Sequence, residues 1–577
     1  MLQFVPFLEE RKVKIVRREK VDDSALKDCI SDPILRQVLV SRGVTSDKEL
    51  SPDLALLLHY RDLKDIKEAS ERIAAAVINK EIVMVCGDYD VDGITGTALG
   101  VLCLKTFGLD KVLFDVPSRY DGGYGLSFKM IDKAVENGVT LIITVDNGIS
   151  CCEAALYAKE KGIDLVITDH HESLGTLPEA AAVVDPKRCD CNFASKNLCG
   201  VGVLFYVLIA VRAVLIEKGY YLSRSAAPCM GQFLDLVAIG TIGDVVNLDA
   251  NNRRLVKAGL QRMHRQNAQI GVKALAEVSR IDMAKIDPVS IAFDLCPRLN
   301  AAGRLKLDDN PALLCLLSDD YDKALSLAVK LDFCNRRRSD FEKVMLAEAK
   351  EDALLQANDN VLVLYRSSWL SGISGLIAGR LKEQYQKPCF VFAGDTENVT
   401  GSARSVPGFS IVGALNHIND AAPDLLLRYG GHSMAAGATL KVTQLKRFKE
   451  LLNKEALILN DKGEEEVLSD GILPEFYFKD LDFALALEAC GPWGQGFPEP
   501  VFDGVFYIEE TRVLANRHVR FRLRTDNTVF SAIRFRASVY EKNLLPGIEV
   551  KAAFSVGVDR YYANERVEIK IEYIEPV

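Results

Sequence analysis

Three aspartates stand at alternate positions in residues 85–96, which read VCGDYDVDGITG. Asp88, Asp90 and Asp92 directly follow the apolar run EIVMVC and precede a second apolar stretch. Carboxylates repel one another, and burying them without a compensating charge is costly. The pattern therefore predicts a positive charge bound at this place.

Two later apolar runs also end in ionisable side chains. TLIITVD ends in Asp146, and DLVITDHH ends in Asp169, His170 and His171. A further acid, Asp244, stands in the largely apolar run AIGTIGDVV. Because parallel strands end at one edge of a sheet, we expect the groups at the strand ends to lie close together.

Carboxylate oxygens combined with one or two imidazoles suit Mn²⁺ or Mg²⁺. Two such ions about 3.5–4 Å apart can share a carboxylate and a water, and can stabilise both the attacking and the leaving oxygen at phosphorus. The alternative is that each aspartate caps the helix after its strand, which could explain one or two of them. It does not explain five acids with two adjacent histidines in a chain that has only 7 histidines.

The elements that must position these residues follow from the hydrophobic pattern. Residues 81–190 alternate short, continuously apolar runs with helical patterns, which predicts a doubly wound, mostly parallel α/β sheet. Residues 200–358 are mainly helical in pattern, and residues 322–357 contain no Gly or Pro, so we expect a long connecting helix. A second, smaller α/β unit begins at NVLVLYRSS, and β-rich runs near the C-terminus predict a small barrel or sandwich.

The 577 residues suffice for three or four domains of about 100–200 residues each. We divide the chain into six parts: an N-terminal segment (1–60), a catalytic α/β domain (61–250), a helical extension with the connecting helix (251–358), a second α/β domain (359–457), a polar linker (458–471) and a β-rich domain (472–577).

Charge and cysteine usage narrow the function classes. The net charge of −9 does not indicate a nucleic-acid binder, although a local basic groove would be enough for one. The 14 scattered cysteines predict a reducing, cytoplasmic environment. The N-terminus lacks an apolar segment long enough for a signal peptide, and residues 201–211 are too short to cross a bilayer. We therefore expect a buried helix at 201–211 and no membrane attachment.

Four short motifs carry a family resemblance. DYDVDG, VDNG, TDHH and the later GD resemble the motifs of the DHH phosphoesterase superfamily, and YGGHSMAAG resembles the signature of its companion domain, DHHA1. From about residue 80 to the C-terminus, stretches such as PSRYDGGYGLS, PRLNAAGR and CGPWGQGFPEPVFDG are similar to the bacterial RecJ family. The resemblance implies a single-stranded-DNA-specific 5′-3′ exonuclease of DNA repair and recombination that releases mononucleotides. It also implies an oligonucleotide-binding fold for the last domain.

The resemblance assigns roles to the acidic cluster. Two Mn²⁺ or Mg²⁺ ions would be held, with Asp146 bridging them, by Asp90, Asp92, Asp146, His170 and Asp244. Three further residues would be catalytic: His171 would face the scissile phosphate, Asp169 would orient the imidazoles, and Asp88 would be a ligand or an outer partner of one.

A basic segment predicts where a single strand is held. Residues 511–536 contain seven arginines and one acid, and the arginines alternate with apolar residues, which places them on one face of a strand. The predicted contacts are Arg520, Arg522, Arg524, Arg534 and Arg536. The alternative is an ordinary solvated sheet face above a core.

Glycine-containing loops supply further phosphate contacts. Arg119 and Arg304 could chelate a 5′-terminal phosphate, although structural ion pairs within loops are an equal alternative. In the second α/β domain we predict contacts from Ser402, Arg404, Gly430, Gly431 and His432. RecJ proteins usually have a histidine after the tryptophan of SSWLSGISG, whereas this chain has Leu370, which cannot hydrogen-bond to a phosphate.

Two other functions remain open from the sequence. A DHH phosphodiesterase for short oligonucleotides or cyclic dinucleotides would not need the C-terminal barrel. A non-catalytic, RecJ-like replication scaffold would not need the complete acidic set. We expect single-stranded DNA as the partner, with a single-stranded-DNA-binding protein and repair helicases implied by the family, and a monomeric chain.

Overall fold

The computed structural model describes residues 13–117, 125–173, 175–305, 309–394, 397–458, 465–560 and 564–577, so the prediction for Arg119 lies outside the described residues. The chain divides into two compact units. The barrel unit comprises the described parts of Met1–His59, Val245–Gly259 and Gly463–Val577. The sheet unit comprises those of Tyr60–Asp244 and Leu260–Lys462.

The described chain begins in the barrel unit with strand β1 (Val13–Arg17) and helix α1 (Pro33–Val40). Proline occupies the first turn of α1, and the carboxylate of Asp32 accepts hydrogen bonds from the backbone N–H groups of Ile34 and Leu35. Both features are typical of a helix start.

The sheet unit opens with alternating strands and helices. These are α2 (Ile66–Ile78), β2 (Val83–Cys86), α3 (Val91–Thr106), β3 (Val112–Asp115), α4 (Phe128–Glu136), β4 (Leu141–Val145), α5 (Cys152–Glu160), β5 (Asp164–Thr168), β6 (Ala182–Val184), α6 (Gly200–Glu217) and α7 (Leu234–Gly243). The five strands are parallel, in the order β3-β2-β4-β5-β6. The predicted doubly wound sheet is confirmed. Its strand order reverses at β2 and β4, and ligands bind at such switch points, beside the carboxyl ends of the strands.

Two apolar segments of this unit, Gly200–Glu217 and Arg224–Gly243, have the length and hydropathy of membrane spans. They are 67% and 61% buried inside the structure, as the core helices of a soluble domain are. Helix α6 packs against α2 and α3 and contains the predicted buried helix at 201–211.

A mainly helical region follows. It contains α8 (Ala250–His264), α9 (Ile270–Val278), α10 (Pro288–Ser290), a π-helical turn (Ile291–Leu295), α11 (Cys296–Ala302), α12 (Pro311–Leu316) and α13 (Tyr321–Leu354). Helix α13 is 34 residues long, so the predicted long connecting helix is confirmed. Helices α11 and α12 pack on α3. At the end of α11, a Cβ on Gly303 would lie 2.8 Å from the carbonyl oxygen of Tyr89, so the NAAGR segment abuts the DYDVDG loop.

The second α/β domain completes the sheet unit. Its elements are β7 (Leu362–Tyr365), α14 (Ser371–Tyr385), β8 (Cys389–Gly394), β9 (Asn398–Arg404), α15 (Ile411–Ala421), β10 (Arg428–Gly431), β11 (Ala435–Lys441) and α16 (Leu445–Glu455). The strand order is β10-β11-β9-β8-β7; β7 and β8 are parallel and the other pairs are antiparallel. Helix α14 packs on β8 and β9.

The remaining elements lie in the barrel unit. They are β12 (Glu465–Ser469), α17 (Leu481–Cys490), β13 (Phe502–Leu514), β14 (His518–Arg524), β15 (Val529–Arg534), α18 (Val539–Lys542), β16 (Glu549–Asp559) and β17 (Arg566–Pro576). Strands β13-β14-β15-β17-β16 form a closed five-stranded barrel, the architecture of an oligonucleotide-binding fold. The predicted barrel is confirmed.

The N-terminal segment is part of the barrel unit. Strand β1 pairs in parallel with β12, in the stretch predicted as a linker. The guanidinium of Arg42 donates to both carboxylate oxygens of Asp470, at 2.7 and 2.8 Å, and Arg17 donates to Asp503. Since the Arg42–Asp470 pair is almost fully buried, removing either partner alone would leave an unpaired charge in the core.

Candidate metal centre and substrate-binding residues

Two helix N-termini position the carboxylates that follow β2. The side chain of Asp90 caps α3 by accepting from the backbone N–H groups of Asp92 and Gly93, at 3.0 and 3.2 Å. The buried carboxylate of Asp92 accepts from the N–H groups of Gly200 and Val201 at the start of α6, at 2.5 and 2.9 Å. The capping interpretation is thus correct for Asp90, and the positive end of a second helix holds Asp92.

Asp146 occupies a strained position directly after β4. Its φ of 63° lies in the left-handed region, which residues other than glycine rarely adopt. A Cβ on Gly200 would lie 2.5 Å from the Cβ of Asp146, so only glycine leaves room for this carboxylate. Strain of this kind concentrates at functional sites, where the surrounding structure enforces it.

The imidazole of His170 contacts three carboxylates. Its Nε2 lies 3.0 Å from Asp146, 3.7 Å from Asp92 and 3.6 Å from Asp244, which directly follows α7. Three groups of side chains among the described residues could hold a metal ion, because the ligand atoms of each group lie within 4.8 Å of one another. The groups are Asp88 with Asp90 and Asp146, Asp92 with His170 and Asp244, and Asp146 with His170 and His171. The structure therefore brings all five predicted metal ligands and Asp88 to the switch point of the sheet.

The buried carboxylates of the cluster repel one another, which favours the binding of a cation between them. Burial, followed by the charge of Asp90, raises the pKa of Asp92 to about 7, and burial with the charge of Asp92 raises that of Asp244 to about 8. Burial and the neighbouring carboxylates also raise the pKa of Asp146 well above its ordinary value. Burial lowers the pKa of His170 to about 3, which keeps the imidazole in the neutral form that binds metals. This oxygen-rich donor set fits Mn²⁺ or Mg²⁺.

Asp169 accepts hydrogen bonds from both histidines. One carboxylate oxygen accepts from the backbone N–H of His170 at 2.7 Å and from Nδ1 of His171 at 2.7 Å, and the other accepts from the N–H of Ile149 at 2.9 Å. Burial alone would lower the pKa of His171, but the hydrogen bond to Asp169 raises it to about 9. The hydrogen bond to Asp169 therefore favours the protonated form of His171, whose Nε2–H can serve as a donor.

Three of the predicted phosphate contacts lie beside the N-terminal half of α14. Arg304 donates from Nη1 to the carbonyl oxygen of Gly372 at 3.0 Å. A Cβ on Gly375 would lie 3.6 Å from Nη2 of Arg404 and 3.5 Å from the Cβ of Ser402. Arg304 is about a hundred positions from Ser402 and Arg404 in the sequence, and the fold places all three along this part of α14.

The glycine-glycine-histidine segment offers both open and crowded positions. A Cβ on Gly430 would meet nothing within 4 Å among the described residues, whereas one on Gly431 would lie 2.4 Å from the carbonyl oxygen of Ala435. The backbone of Gly431 therefore packs closely within the hairpin, while Gly430, Gly431 and His432 are all exposed. Leu370, where the histidine was expected, packs into the apolar core below α14.

On the barrel, strand β14 presents Arg520, Arg522 and Arg524 outward, while its alternate residues are buried. Glu509 on β13 lies 3.1 Å from Arg522 and 3.4 Å from Arg524. The arginine pattern of residues 511–536 did not indicate this acid, which precedes residue 511. The guanidinium of Arg524 also lies over the ring of Tyr507 at 5.1 Å, an aromatic surface that the same pattern did not indicate.

The remaining two predicted arginines, Arg534 and Arg536, make hydrogen bonds within the barrel. Arg534 donates to Glu541 at 2.7 Å and to the carbonyl oxygen of Ile571 at 3.1 Å. Arg536 is exposed, and its backbone N–H donates to the ring of His518. Arg520 also points outward, and it lies opposite Arg512 in the β13–β14 pair.

A doubly wound sheet with carboxylates and imidazoles at its switch point defines a metal-binding phosphoesterase of the DHH class. Family models agree: residues 82–241 match the "DHH family, N-terminal domain", residues 358–456 the "DHHA1 domain" and residues 470–573 the "RecJ OB domain".

Among curated relatives, the "Single-stranded-DNA-specific exonuclease RecJ" of Salmonella typhimurium is 37% identical over 577 residues, covering 97% of this chain and 99% of the relative. The crystal structure of RecJ from Thermus thermophilus in complex with Mn²⁺ superposes with a TM-score of 0.82 at 30% identity, covering 98% of this chain and 80% of that one. The Mg²⁺ complex of the same protein gives 0.76 at 28% identity, covering 98% and 78%. The chain belongs to the RecJ family of single-stranded-DNA-specific exonucleases.

Proposed function

We propose that this chain is a two-metal phosphodiesterase that degrades single-stranded DNA from its 5′ end to mononucleotides, in DNA repair and recombination. The observation that carries the proposal is the convergence of Asp92, Asp146, His170 and Asp244 at the switch point of the sheet. The closed barrel with its outward arginines supports a polymeric, single-stranded substrate.

Two Mn²⁺ or Mg²⁺ ions would be held by Asp90, Asp92, Asp146, His170 and Asp244, with Asp146 between them. Such ions, when bound, supply an activated water and neutralise charge at phosphorus. The chain contributes rigidity, because the N-termini of α3 and α6 hold Asp90 and Asp92, and Gly200 leaves room for the close approach of Asp146. Little reorganisation is then needed at the moment of reaction.

His171 and Asp169 act on the substrate side of the cluster in this proposal. Protonated His171 donates from Nε2 to an oxygen of the scissile phosphate, where negative charge develops in the transition state. Asp169 holds the ring through Nδ1 and stabilises its positive charge. Asp88, buried after β2, either binds a metal or orients Asp90 and Asp146.

Binding and polarity are assigned to groups away from the metal ligands. Arg520, with Arg522 and Arg524, would contact internal phosphates through charge and without reading bases. Arg304, Ser402 and Arg404 beside the N-terminal half of α14, together with Gly430, Gly431 and His432, would recognise the 5′-terminal phosphate. A terminal phosphate carries more charge than an internal one, so a group of arginines favours it.

We also place the chain in the cytoplasm, because all 14 cysteines are free thiols in the structure. The proposed substrate implies work beside proteins that coat or unwind DNA, so a single-stranded-DNA-binding protein and repair helicases are the proposed partners. We propose that the chain acts as a monomer, since the whole candidate metal centre is built from one chain.

The proposal is tested by digesting single strands labelled at the 5′ or the 3′ end, with Mn²⁺ or Mg²⁺ supplied in turn. We expect the 5′ label to be released at once as a mononucleotide and the 3′ label to be released last, with blunt duplex resistant. Hydrolysis confined to dinucleotides or cyclic dinucleotides would favour the small-substrate alternative. Absence of hydrolysis with either metal would favour the scaffold.

A further inference from the structure

A fourth strand end reaches the edge of the sheet that carries the metal centre. Strand β6 pairs in parallel with β5, in a register that places Val184 beside Thr168. The backbone N–H of Asp169 donates to the carbonyl oxygen of Val184 at 3.1 Å. The residues after β6 therefore leave the sheet beside Asp169, and they begin with Asp185, Pro186 and Lys187.

Asp185 fixes this turn from inside the protein. Its side chain is 1% exposed, and one carboxylate oxygen accepts from the backbone N–H of Lys187 at 2.7 Å. The other carboxylate oxygen has no hydrogen-bond partner among the described residues. With Pro186 restricting φ in the middle of the turn, the point at which the Lys187 side chain leaves the backbone is fixed.

Lys187 extends from this turn as an exposed cation. No carboxylate in the described ranges lies within ion-pairing distance of its ammonium group. Because β6 ends beside Asp169, three residues before Lys187, this lysine leaves the chain at the edge of the sheet that carries the metal centre. Its long side chain can reach a phosphate bound at that edge.

We propose that Lys187 is a substrate-binding residue that contacts a non-bridging oxygen of the phosphate at the metal centre, with Asp185 as its positioning residue. The inference rests on the proposed function. Two divalent ions balance the four carboxylates of the proposed ligand set, but the neighbouring Asp88 leaves residual negative charge that an approaching phosphodiester meets. His171 is already paired with Asp169, whereas Lys187 adds a positive charge that has no carboxylate partner among the described residues.

The test compares Lys187→Met with Lys187→Arg, and uses Lys161→Met as the matched control. Lys161 is also exposed in the same domain, but it follows α5 at the opposite edge of the sheet and lies over Tyr157. Two quantities are measured: initial rates on a 5′-phosphorylated oligo-dT with Mn²⁺, and the salt dependence of binding to the same oligonucleotide in EDTA.

We expect Lys187→Met to lower kcat/KM about tenfold or more and to reduce the slope of log Kobs against log salt by about 0.7, the value of one phosphate contact on a single strand. Lys187→Arg should retain most of both quantities, and Lys161→Met should match wild type. Wild-type rates and slope in Lys187→Met would overturn the inference. If the wild-type protein digests no strand, the proposed function fails, while the binding slope still decides the role of Lys187.

Discussion

Replacing Asp244 by asparagine should change two properties in opposite directions: the metal-free protein becomes more stable, and its binding of metal becomes weaker. Burial and the charges of Asp92 and Asp90 raise the pKa of this carboxyl to about 8. Because the folded pKa lies above the ordinary value, the stability linked to this group is fully present below about pH 4 and is lost as the pH rises towards 8. At pH 8 without metal, the ionised carboxylate therefore destabilises the folded state.

The difference between about 8 and the ordinary value of 3.8 sets an upper bound of roughly 6 kcal/mol on this destabilisation. The side chain is 24% exposed, and solvent screening lowers the figure to about 1–2 kcal/mol. We expect Asp244→Asn to raise the metal-free unfolding midpoint at pH 8 by about 2–8 °C. With Mn²⁺ the variant should gain less than wild type, because tenfold weaker binding removes about 1.4 kcal/mol of ligand stabilisation.

The assay is thermal unfolding at pH 6 and pH 8, in EDTA and in Mn²⁺. Asp235→Asn is the matched control, because Asp235 is a buried aspartate on the same helix that accepts from the N–H of Gln269. It should leave the Mn²⁺-induced shift at the wild-type value. A wild-type Mn²⁺ shift in Asp244→Asn, or a lower metal-free midpoint at pH 8, would refute the assignment of Asp244 as a ligand in a crowded acidic cluster.

Four further outcomes are expected. Asp146→Ala should abolish nucleotide release while circular dichroism stays unchanged; near-normal turnover would contradict a bridging role. Asp169→Asn should lower the pKa of His171 towards 6.5, so the rate at pH 8 falls about tenfold and partly recovers near pH 6; a parallel pH profile would contradict this. Arg520→Ala should reduce the salt slope of strand binding by about 0.7, whereas an unchanged slope would place the strand elsewhere. Arg304→Ala should slow digestion of 5′-phosphorylated strands more than of 5′-hydroxyl strands, and equal losses would exclude end recognition.

The sheet and its acidic edge could be predicted because their signals are local. Continuous apolar runs that lead into Asp88, Asp146 and Asp169 specify buried parallel strands, and parallel strands end at one edge. Asp185 could be predicted in the same way, because AAVVDP is also an apolar run that ends in an acid. The contact of Asp92 with the start of α6 could not be predicted, because Gly200 and Val201 lie more than a hundred positions away in the sequence.

The barrel unit shows where sequence patterns stop being informative. The pairing of β1 with β12 joins residues about 450 positions apart, and neither strand carries a signal for its partner. The arginine pattern on β14 was visible, but the charge beside it was not, because Glu509 comes from the neighbouring strand. Cross-strand pairs depend on register, and register is set by the closed barrel rather than by local sequence.

The most direct test of the two-metal centre is the number of Mn²⁺ ions bound per chain, measured with the electron paramagnetic resonance spectrum of the loaded protein. We predict two ions per wild-type chain with a spin-coupled spectrum, because Asp146 lies between the two groups of ligands. Asp146→Ala should lose the coupled signal while circular dichroism shows an intact fold. A single, uncoupled ion in the wild-type chain, or a coupled pair that survives in Asp146→Ala, would contradict the bridged centre.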